Sequence, residues 1–379
     1  MNNEEKKLQN GPQNGQSQRP ARHCGPEKVS NVDDRLQWIQ EGLCFNAFGA
    51  ALRRRFGGRI QRVSIDAGFT CPNVDGAVTR GGCNFCDNRS FSPSRRVRLA
   101  SVIDQMQRGI AAVTKRYDKV AGFIAYLQPA TNTYGPIDQL EALYRAALEV
   151  SPHVVGLAIG TRPDCVPDEV LDLIDVLAAR HYVSLEYGMQ TIHDRSLDWM
   201  NRGHHHAAMI DAMVRSRGRR FETCGHVILG IPGESHEDML QTAEEIGHLG
   251  LDAVKLHNLY AVRGTPLGDQ VAAGQVRMMD RQAYVSTVVD FLERIPPQVI
   301  VERVSGEAPP DYLLEPRWCL EKSAIRLEIE REFRRRGSRQ GAAYRPSPQR
   351  TNPGATADQT PAAIMQKLSR SRVLPVLKL

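Results

Sequence analysis

The chain lacks any apolar run long enough to cross a membrane, although 41% of its 379 residues are hydrophobic. A membrane-spanning helix needs about 20 consecutive apolar residues. The first 30 residues contain almost no large apolar side chain, so they offer no apolar segment of a secretory signal. We therefore expect a cytoplasmic protein with no membrane partner.

The regular cysteine spacing of a disulfide framework is also missing. Of the 8 cysteines, five are scattered along the chain, at positions 24, 44, 165, 224 and 319. Scattered cysteines without a framework favour a reducing compartment. The net charge of +6 mildly favours an anionic partner but does not identify one.

The other three cysteines share one glycine-rich stretch, the three-cysteine loop (residues 68–86), with the spacing C-x11-C-x2-C. Its glycines let the backbone double back, so that Cys71 joins the pair Cys83 and Cys86. No fourth ligand is evident, whereas a structural zinc site needs four protein ligands. A [4Fe–4S] cluster on three cysteines leaves one iron open to a substrate. The stretch therefore favours such a cluster over the alternatives, a structural zinc loop or unrelated thiols.

With Phe85 just before its last cysteine, the loop resembles the cluster loop of radical S-adenosylmethionine (SAM) enzymes. Residues 66–73 followed by residues 81–83 resemble, more narrowly, the bacterial YhcC-type radical SAM proteins, which are relatives of the catalytic subunit of Elongator. The first gap is longer than the C-x3-C common in radical SAM enzymes, as in this subgroup. Further matching motifs extend the resemblance over residues 42–321.

The resemblance implies two cofactors, a [4Fe–4S] cluster on Cys71, Cys83 and Cys86, and SAM on the open iron. It also implies an electron donor such as flavodoxin or ferredoxin. Reductive cleavage of SAM would give methionine and a 5′-deoxyadenosyl radical that abstracts hydrogen from a substrate. No second three-cysteine loop is present in the sequence, which counts against an auxiliary cluster and against sulfur insertion.

From about residue 59, short runs rich in β-branched residues alternate with helical patterns. The runs lie near residues 59–66, 120–127, 154–160, 182–187, 225–230 and 253–258. The helical patterns lie near residues 100–117, 137–150, 168–180, 194–217 and 237–249. This alternation predicts an α/β fold with a parallel sheet. The resemblance implies a partial (β/α)6 TIM-type barrel, with its chemistry at the carboxyl ends of the strands.

Three regions are predicted from composition and pattern. Residues 1–30 form a disordered tail, residues 31–335 form the radical SAM domain with a C-terminal extension from about residue 264, and residues 336–379 form a loose low-complexity tail. One helix is expected over residues 34–56, and the extension is expected to hold a helix over 281–294, an extra strand near 299–304 and a charged helix over 320–335.

By resemblance, SAM contacts follow the early strands. Phe85 matches an aromatic residue that leans on the SAM adenine, with packing of the loop as the alternative. Gln128 and Thr131 stand where many radical SAM enzymes carry Gly-Gly-Glu for the methionyl amino group; a polar turn without a ligand is the alternative. Arg162, at the next strand end, is suited to holding a carboxylate or phosphate bidentately.

The later strands supply four more cofactor-binding candidates. Alternation sends Glu186 and Gln190 to one side of the fourth strand. A carboxylate inside a barrel is costly without a partner, and the resemblance supplies the polar part of SAM as that partner. Gly230 lies in a segment similar to G-x-I-x-G-x-x-G-E, whose backbone passes close to SAM, and backbone near Leu259 would meet the adenine.

The catalytic residue is not identified by the sequence, but three candidates stand at strand ends. Cys165 is either a second reactive thiol or a buried small side chain. Lys255 and His257 alternate inward together on the sixth strand, where they either contact the substrate or are solvated polar groups.

Two functions follow. The first is a radical SAM enzyme with an unidentified substrate, for which tRNA is the candidate because the resembled Elongator subunit acts on it. The alternative is a non-catalytic, metal-stabilised RNA-binding protein. Both draw on arginines expected near the cluster, namely Arg53, Arg54, Arg55, Arg59, Arg62, Arg80, Arg89, Arg95, Arg96 and Arg98. A second set follows near the end of the last helix: Arg331, Arg334, Arg335, Arg336 and Arg339.

Overall fold

A curled half-barrel of parallel strands dominates the computed structural model, which describes residues 32–87 and 100–346. Its strands are β1 (Ile60–Ile65), β2 (Gly122–Leu127), β3 (Val154–Thr161), β4 (Tyr182–Gln190), β5 (Glu222–Leu229), β6 (Ala253–Asn258) and β8 (Ile300–Arg303). They pair in the order β1-β2-β3-β4-β5-β6-β8, all parallel. The predicted α/β half-barrel is confirmed, with a seventh strand where the sequence suggested an extra one.

Helices connect the strands and cover the outside of the sheet. Those described are α1 (Val32–Gln40), α2 (Phe48–Phe56), α3 (Val102–Arg116), α4 (Ile137–Glu149), α5 (Asp168–Ala178), α6 (Asp194–Trp199), α7 (His206–Ser216), α8 (His236–Leu249), α9 (Pro266–Ala272), α10 (Arg281–Arg294) and α11 (Lys322–Arg336). None of the helices in the described ranges is long and apolar enough to span a membrane. A small antiparallel pair, β7 (Ala261–Val262) with β9 (Leu313–Glu315), follows the main sheet.

Apolar burial on both faces explains the parallel sheet. Every residue of β2 and β4 is buried, as expected of strands covered by helices on one side and by the barrel interior on the other. The helices contribute apolar faces to the same core, with Leu140 and Tyr144 of α4 and Tyr284 of α10 fully buried. Parallel strands place all their carboxyl ends at one edge, which is where the site lies.

The prediction of a single helix over residues 34–56 is wrong. Gly42 adopts a left-handed conformation, with φ of 69°, soon after α1 ends. The chain then turns inward, and buried Asn46 donates from its side chain to the carbonyls of Arg35 and Gln298 before α2 begins. The predicted end of α2 at Gly57 is confirmed by its left-handed C-cap.

The chain also stays packed beyond the expected end of the domain. Gln340 is buried, donates to the carbonyls of Pro296 and Val299, and accepts from the backbone N–H of Asn46. The expectation of loose chain from Arg336 is therefore corrected for residues 337–344. Residues 347–379 lie outside the described residues. The predicted tail over residues 1–30 lies outside the described residues.

Candidate active site at the carboxyl ends of the strands

A cavity of about 610 Å³ opens at the carboxyl ends of the strands. Its walls include all three cysteines of the three-cysteine loop. They also include most of the residues selected from the sequence: Phe85, Gln128, Thr131, Arg162, Glu186, Gln190, His257 and Leu259. The volume lies within the range of small-molecule sites. Residues spread over the chain therefore line one cavity.

The three-cysteine loop folds back on itself, as its glycines predicted. Gly76, Gly81 and Gly82 have φ between 78° and 90°, the left-handed region that glycine tolerates. The N–H of Gly82 donates to the carbonyl of Asn73 at 2.8 Å. This turn brings Cys83 and Cys86 back beside Cys71, so that all three thiols reach one cavity.

A short segment after α6, residues 201–203, fastens the loop to the barrel. Asn201 Nδ2 donates to the carbonyl of Gly82 at 2.7 Å, and Asn73 Nδ2 returns a bond of the same length to the carbonyl of Asn201. Gly203 permits the contact, because a Cβ there would lie 2.6 Å from Val78 and 3.0 Å from Asn73. The sequence marked residues 201–203 only as a matching segment, so their role in holding the loop was missed.

Two nitrogen donors point at the sulfur of Cys83. Asn73 Nδ2 lies 3.5 Å from Cys83 Sγ and Arg202 Nη1 lies 3.4 Å from it. Donors to sulfur stabilise a thiolate and tune a bound cluster. Burial, and then the neighbouring thiols of Cys83 and Cys71, raises the pKa of Cys86. The two donors to sulfur and the clustered thiols fit a cofactor that takes thiolate ligands.

Among residues 32–87 and 100–346, no three His, Cys, Asp or Glu side chains lie close enough to hold a single metal ion. A [4Fe–4S] cluster binds each thiolate through a different iron, so its ligands do not have to meet at one point. The assignment of Cys71, Cys83 and Cys86 as cluster ligands stays a prediction.

Arg162 differs from the expectation of a guanidinium open to a ligand. Its Nε and Nη2 donate to the two carboxylate oxygens of Asp164 at 2.9 and 2.8 Å. Burial alone would lower the pKa of Arg162, but the bonds to Asp164 outweigh it and raise the pKa. The bidentate fork is thus occupied within the chain, and only buried Nη1 has no hydrogen-bond partner. Nearby on the cavity wall, buried Thr131 Oγ1 is likewise without one.

Glu186 also has partners that the sequence did not reveal. It is fully buried and belongs to a charge tetrad, defined here as Arg62, Glu186, Lys255 and Glu302. Its carboxylate lies 2.5 Å from Lys255 Nζ and 3.1 Å from Arg62 Nη1. Glu302 contacts the same two cations, at 2.7 Å from Arg62 and 3.1 Å from Lys255. The argument that SAM must neutralise Glu186 is corrected, because two cations of the protein already do so.

The tetrad fixes the ionisation of its members. Burial alone would raise the pKa of Glu186, but Lys255, Arg62 and His226 hold it well below its usual range. Burial would likewise lower the pKa of Lys255, but Glu186, Tyr126 and Glu302 raise it. Lys255 therefore stays protonated at neutral pH, which makes it a charge of the barrel interior and a poor proton acceptor.

His257 and Gln190 face the cavity in different ways. The His257 ring lies 5.4 Å from that of His226, and its Nε2 is buried without a hydrogen-bond partner. Burial, then the Arg303 cation, lowers the pKa of His257 well below its usual range, so the ring is neutral. Gln190 has φ of 68°, a strained conformation for a residue with a side chain, and strain of this kind is concentrated at functional sites.

Three candidates do not line the cavity. Gly230, Lys255 and Cys165 are absent from the described residues of its wall. Burial and the carboxylate of Asp164 raise the pKa of Cys165, so its thiol stays protonated and is not activated as a nucleophile. Phe85 and Leu259 lie on the wall and also belong to one apolar cluster, which leaves both readings of Phe85 open.

Comparison with known proteins identifies the family and agrees with the fold. The model of the Radical SAM superfamily matches residues 78–246, and that of the Radical_SAM C-terminal domain matches residues 251–335. With a parallel half-barrel and three cysteines at its strand ends, the chain belongs to the radical SAM superfamily and is an enzyme of that class. Within it, the chain is 36% identical over 304 residues to Protein YhcC of Escherichia coli (strain K12), covering 79% of this chain and 96% of that protein.

Other relatives extend this similarity. The chain is 34% identical over 293 residues to the protein YtqA of Bacillus subtilis (strain 168), covering 77% of this chain and 90% of that protein. Among solved structures, the archaeal Methanocaldococcus infernus Elp3 with an N-terminal deletion superposes with a TM-score of 0.57 at 17% identity, covering 74% of this chain and 64% of that one. At that identity the match supports the half-barrel fold alone.

Proposed function

We propose that the chain binds a [4Fe–4S] cluster through Cys71, Cys83 and Cys86 and uses it with SAM to abstract hydrogen from a substrate in the cavity. One observation carries the proposal: three thiols from one loop share a 610 Å³ cavity with buried polar atoms that have no hydrogen-bond partner. A buried polar atom without a partner is costly, and a polar ligand would remove that cost.

The chain's own residues have distinct tasks in this proposal. Thr131 Oγ1 and Arg162 Nη1 offer hydrogen bonds to the polar part of SAM, with Gln128 and Gln190 beside them on the wall. Phe85 supplies an apolar surface for the adenine. A cluster held by Cys71, Cys83 and Cys86 and reduced by a donor such as flavodoxin or ferredoxin would supply the electron for reductive cleavage of SAM to methionine and a 5′-deoxyadenosyl radical.

Structured RNA, with tRNA as the example, is the candidate substrate, and the resemblance to the Elongator subunit supports it. The arginines support it less than the sequence suggested. Arg54 and Arg55 pair with Glu41 and Glu222 at 2.8 and 2.6 Å. They end a helix that precedes β1, so they lie at the amino ends of the strands, away from the cavity. Arg62 belongs to the tetrad inside the barrel.

Two arginines of the second set are also paired. On α11, Arg335 and Arg336 both contact Glu332 at 2.7 Å. Arg80 lies in the three-cysteine loop, whereas Arg89, Arg95, Arg96 and Arg98 lie outside the described residues. Paired arginines release few counterions on binding RNA, so we expect Arg54, Arg55, Arg335 and Arg336 to add little to the salt dependence.

Anaerobic purification tests the cluster. Wild type should contain iron and sulfide and show thiolate-to-iron absorbance, and each of Cys71→Ala, Cys83→Ala and Cys86→Ala should lose both. Cys44→Ala is the matched control, because Cys44 is half-buried and away from the cavity. A colourless, zinc-loaded wild type that takes up no iron on reconstitution contradicts the proposal and favours the non-catalytic RNA-binding alternative.

A further inference from the structure

Arg303, the last residue of β8, brings a positive charge to the cavity that no described carboxylate neutralises. Its neighbour Glu302 also points inward, into the charge tetrad. Two consecutive residues normally face opposite sides of a strand. Here the pairing with β6 skips one position, since Val254 faces Val301 and Lys255 faces Arg303. Such an irregularity re-aims side chains, and it lets both residues face the interior.

The charges around Arg303 do not cancel its own. Within the tetrad, two carboxylates balance two cations, so neither Glu186 nor Glu302 has charge to spare. Glu307, also on the cavity wall, forms an ion pair with Lys322. Arg303 has no hydrogen bond or ion pair to a described residue. Arg303 is half-buried, so its guanidinium is accessible to a ligand in the cavity.

Arg303 shares the cavity wall with Tyr126, His257 and Tyr260. Burial, and then the charge of Arg303, lowers the pKa of His257. His257 Nε2 has no hydrogen-bond partner there. A guanidinium beside a neutral imidazole offers several hydrogen-bond donors for a planar or tetrahedral anion.

We propose that Arg303, with His257 beside it, binds an anionic group of the substrate, a carboxylate or a phosphate. The inference rests on the proposed function, because it takes the cavity to be the substrate site. Arg303 stands on the last strand of the sheet, whereas Thr131 and Arg162 follow β2 and β3. Polar groups from different strands of one cavity suit two ligands, with SAM at the early strands and the substrate's anion at the late one.

Arginine-specific labelling of the full-length protein with phenylglyoxal, read by peptide mass spectrometry, tests this assignment under anaerobic conditions. Phosphate or acetate should slow labelling of Arg303 at least threefold relative to chloride at equal ionic strength, and should not slow labelling of exposed Arg263. Equal changes at the two arginines overturn the proposal. The preferred anion distinguishes a phosphate from a carboxylate.

Two further measurements test whether Arg303 belongs to the SAM site and whether it binds phosphate. With saturating SAM present, phosphate or acetate protection of Arg303 should persist; if SAM alone blocks labelling and the anions add nothing, Arg303 belongs to the SAM subsite and the proposal fails. In equilibrium dialysis, Arg303→Gln should bind inorganic phosphate at least tenfold more weakly than wild type and Arg263→Gln, with folding checked by thermal midpoint. Equal phosphate binding by all three contradicts it.

Iron content keeps this test separate from that of the proposed function. A protein that protects Arg303 but binds no cluster would refute the radical SAM proposal and leave the anion site standing. A protein that binds a cluster but shows no protection of Arg303 by anions would refute the anion site and leave the radical SAM proposal standing.

Discussion

The buried polar groups of the charge tetrad and those elsewhere on the cavity wall differ in the partners that they contact. In the interior, each carboxylate of the charge tetrad contacts both Arg62 and Lys255 within 3.1 Å. On the cavity wall, Thr131 Oγ1, Arg162 Nη1 and His257 Nε2 are buried without hydrogen-bond partners. Buried charges that are paired stabilise the fold, whereas buried polar atoms without partners indicate where ligands bind. Substitutions in the tetrad should therefore lower stability, and substitutions on the cavity wall should lower ligand affinity.

The largest effect on stability is expected from Glu186→Gln in the interior. Removing one carboxylate leaves Lys255 and Arg62 with one shared partner, and breaking a buried ion pair costs about 3–5 kcal/mol. Chemical denaturation should show that loss in the free energy of unfolding. Glu141→Gln, which breaks an exposed pair with Arg145, is the control and should cost less than about 1 kcal/mol. Equal costs would mean that the tetrad does not hold the barrel.

The same carboxylate should give the fold an acid-sensitive component. The folded-state pKa of Glu186 lies well below its usual value of 4.5. Its stabilisation is therefore complete above that value and is lost as pH falls toward the folded pKa. The difference in unfolding free energy between wild type and Glu186→Gln should shrink as pH falls below 4.5. A difference that stays constant down to pH 3 would contradict the ionised, paired carboxylate.

A smaller effect is expected where residues 201–203 hold the three-cysteine loop. Gly203→Ala forces a side chain into a left-handed position and against Val78, and we expect a cost of about 1–3 kcal/mol with faster loss of iron. Gly218→Ala is the matched control, because Gly218 has a similar φ of 74° but nothing within 4 Å of its Cβ position. Iron retention should separate the two variants. Identical retention would show that the contact with Val78 is unimportant.

The smallest change is expected on the cavity wall. Thr131→Val keeps the shape and removes a hydroxyl that has no hydrogen-bond partner, so stability should change by less than about 1 kcal/mol or rise. SAM affinity should fall roughly tenfold, as for the loss of one hydrogen bond. Calorimetric titration measures that affinity. Unchanged SAM binding would remove Thr131 from the SAM site.

The sequence predicted many of the residues that line the cavity but not how they pair. Period-two alternation was enough to turn Glu186 inward, and the three cysteines were evident from spacing. The partners of Glu186, Arg62 of β1 and Lys255 of β6, come from strands that are not neighbours of β4 in the sheet, and no local pattern links them. Arg303 escaped notice because its inward aim depends on a skipped pairing position, which is a property of two strands together.

Some signals were present but ambiguous. Asn201 and Arg202 stood in a matching motif, yet only the folded chain brings them to the carbonyl of Gly82 and the sulfur of Cys83. The arginine-rich stretch was visible too, but charge in sequence does not reveal which end of a strand it occupies. Features set by local sequence could therefore be predicted, and features set by pairing between distant residues could not.

Formation of 5′-deoxyadenosine tests the central claim most directly. Reconstituted protein is incubated anaerobically with SAM and dithionite, and the nucleoside is quantified by chromatography. Wild type and Cys44→Ala should form it, and Cys83→Ala should not. A wild-type protein that holds iron and sulfide but forms no 5′-deoxyadenosine under these conditions would contradict the account.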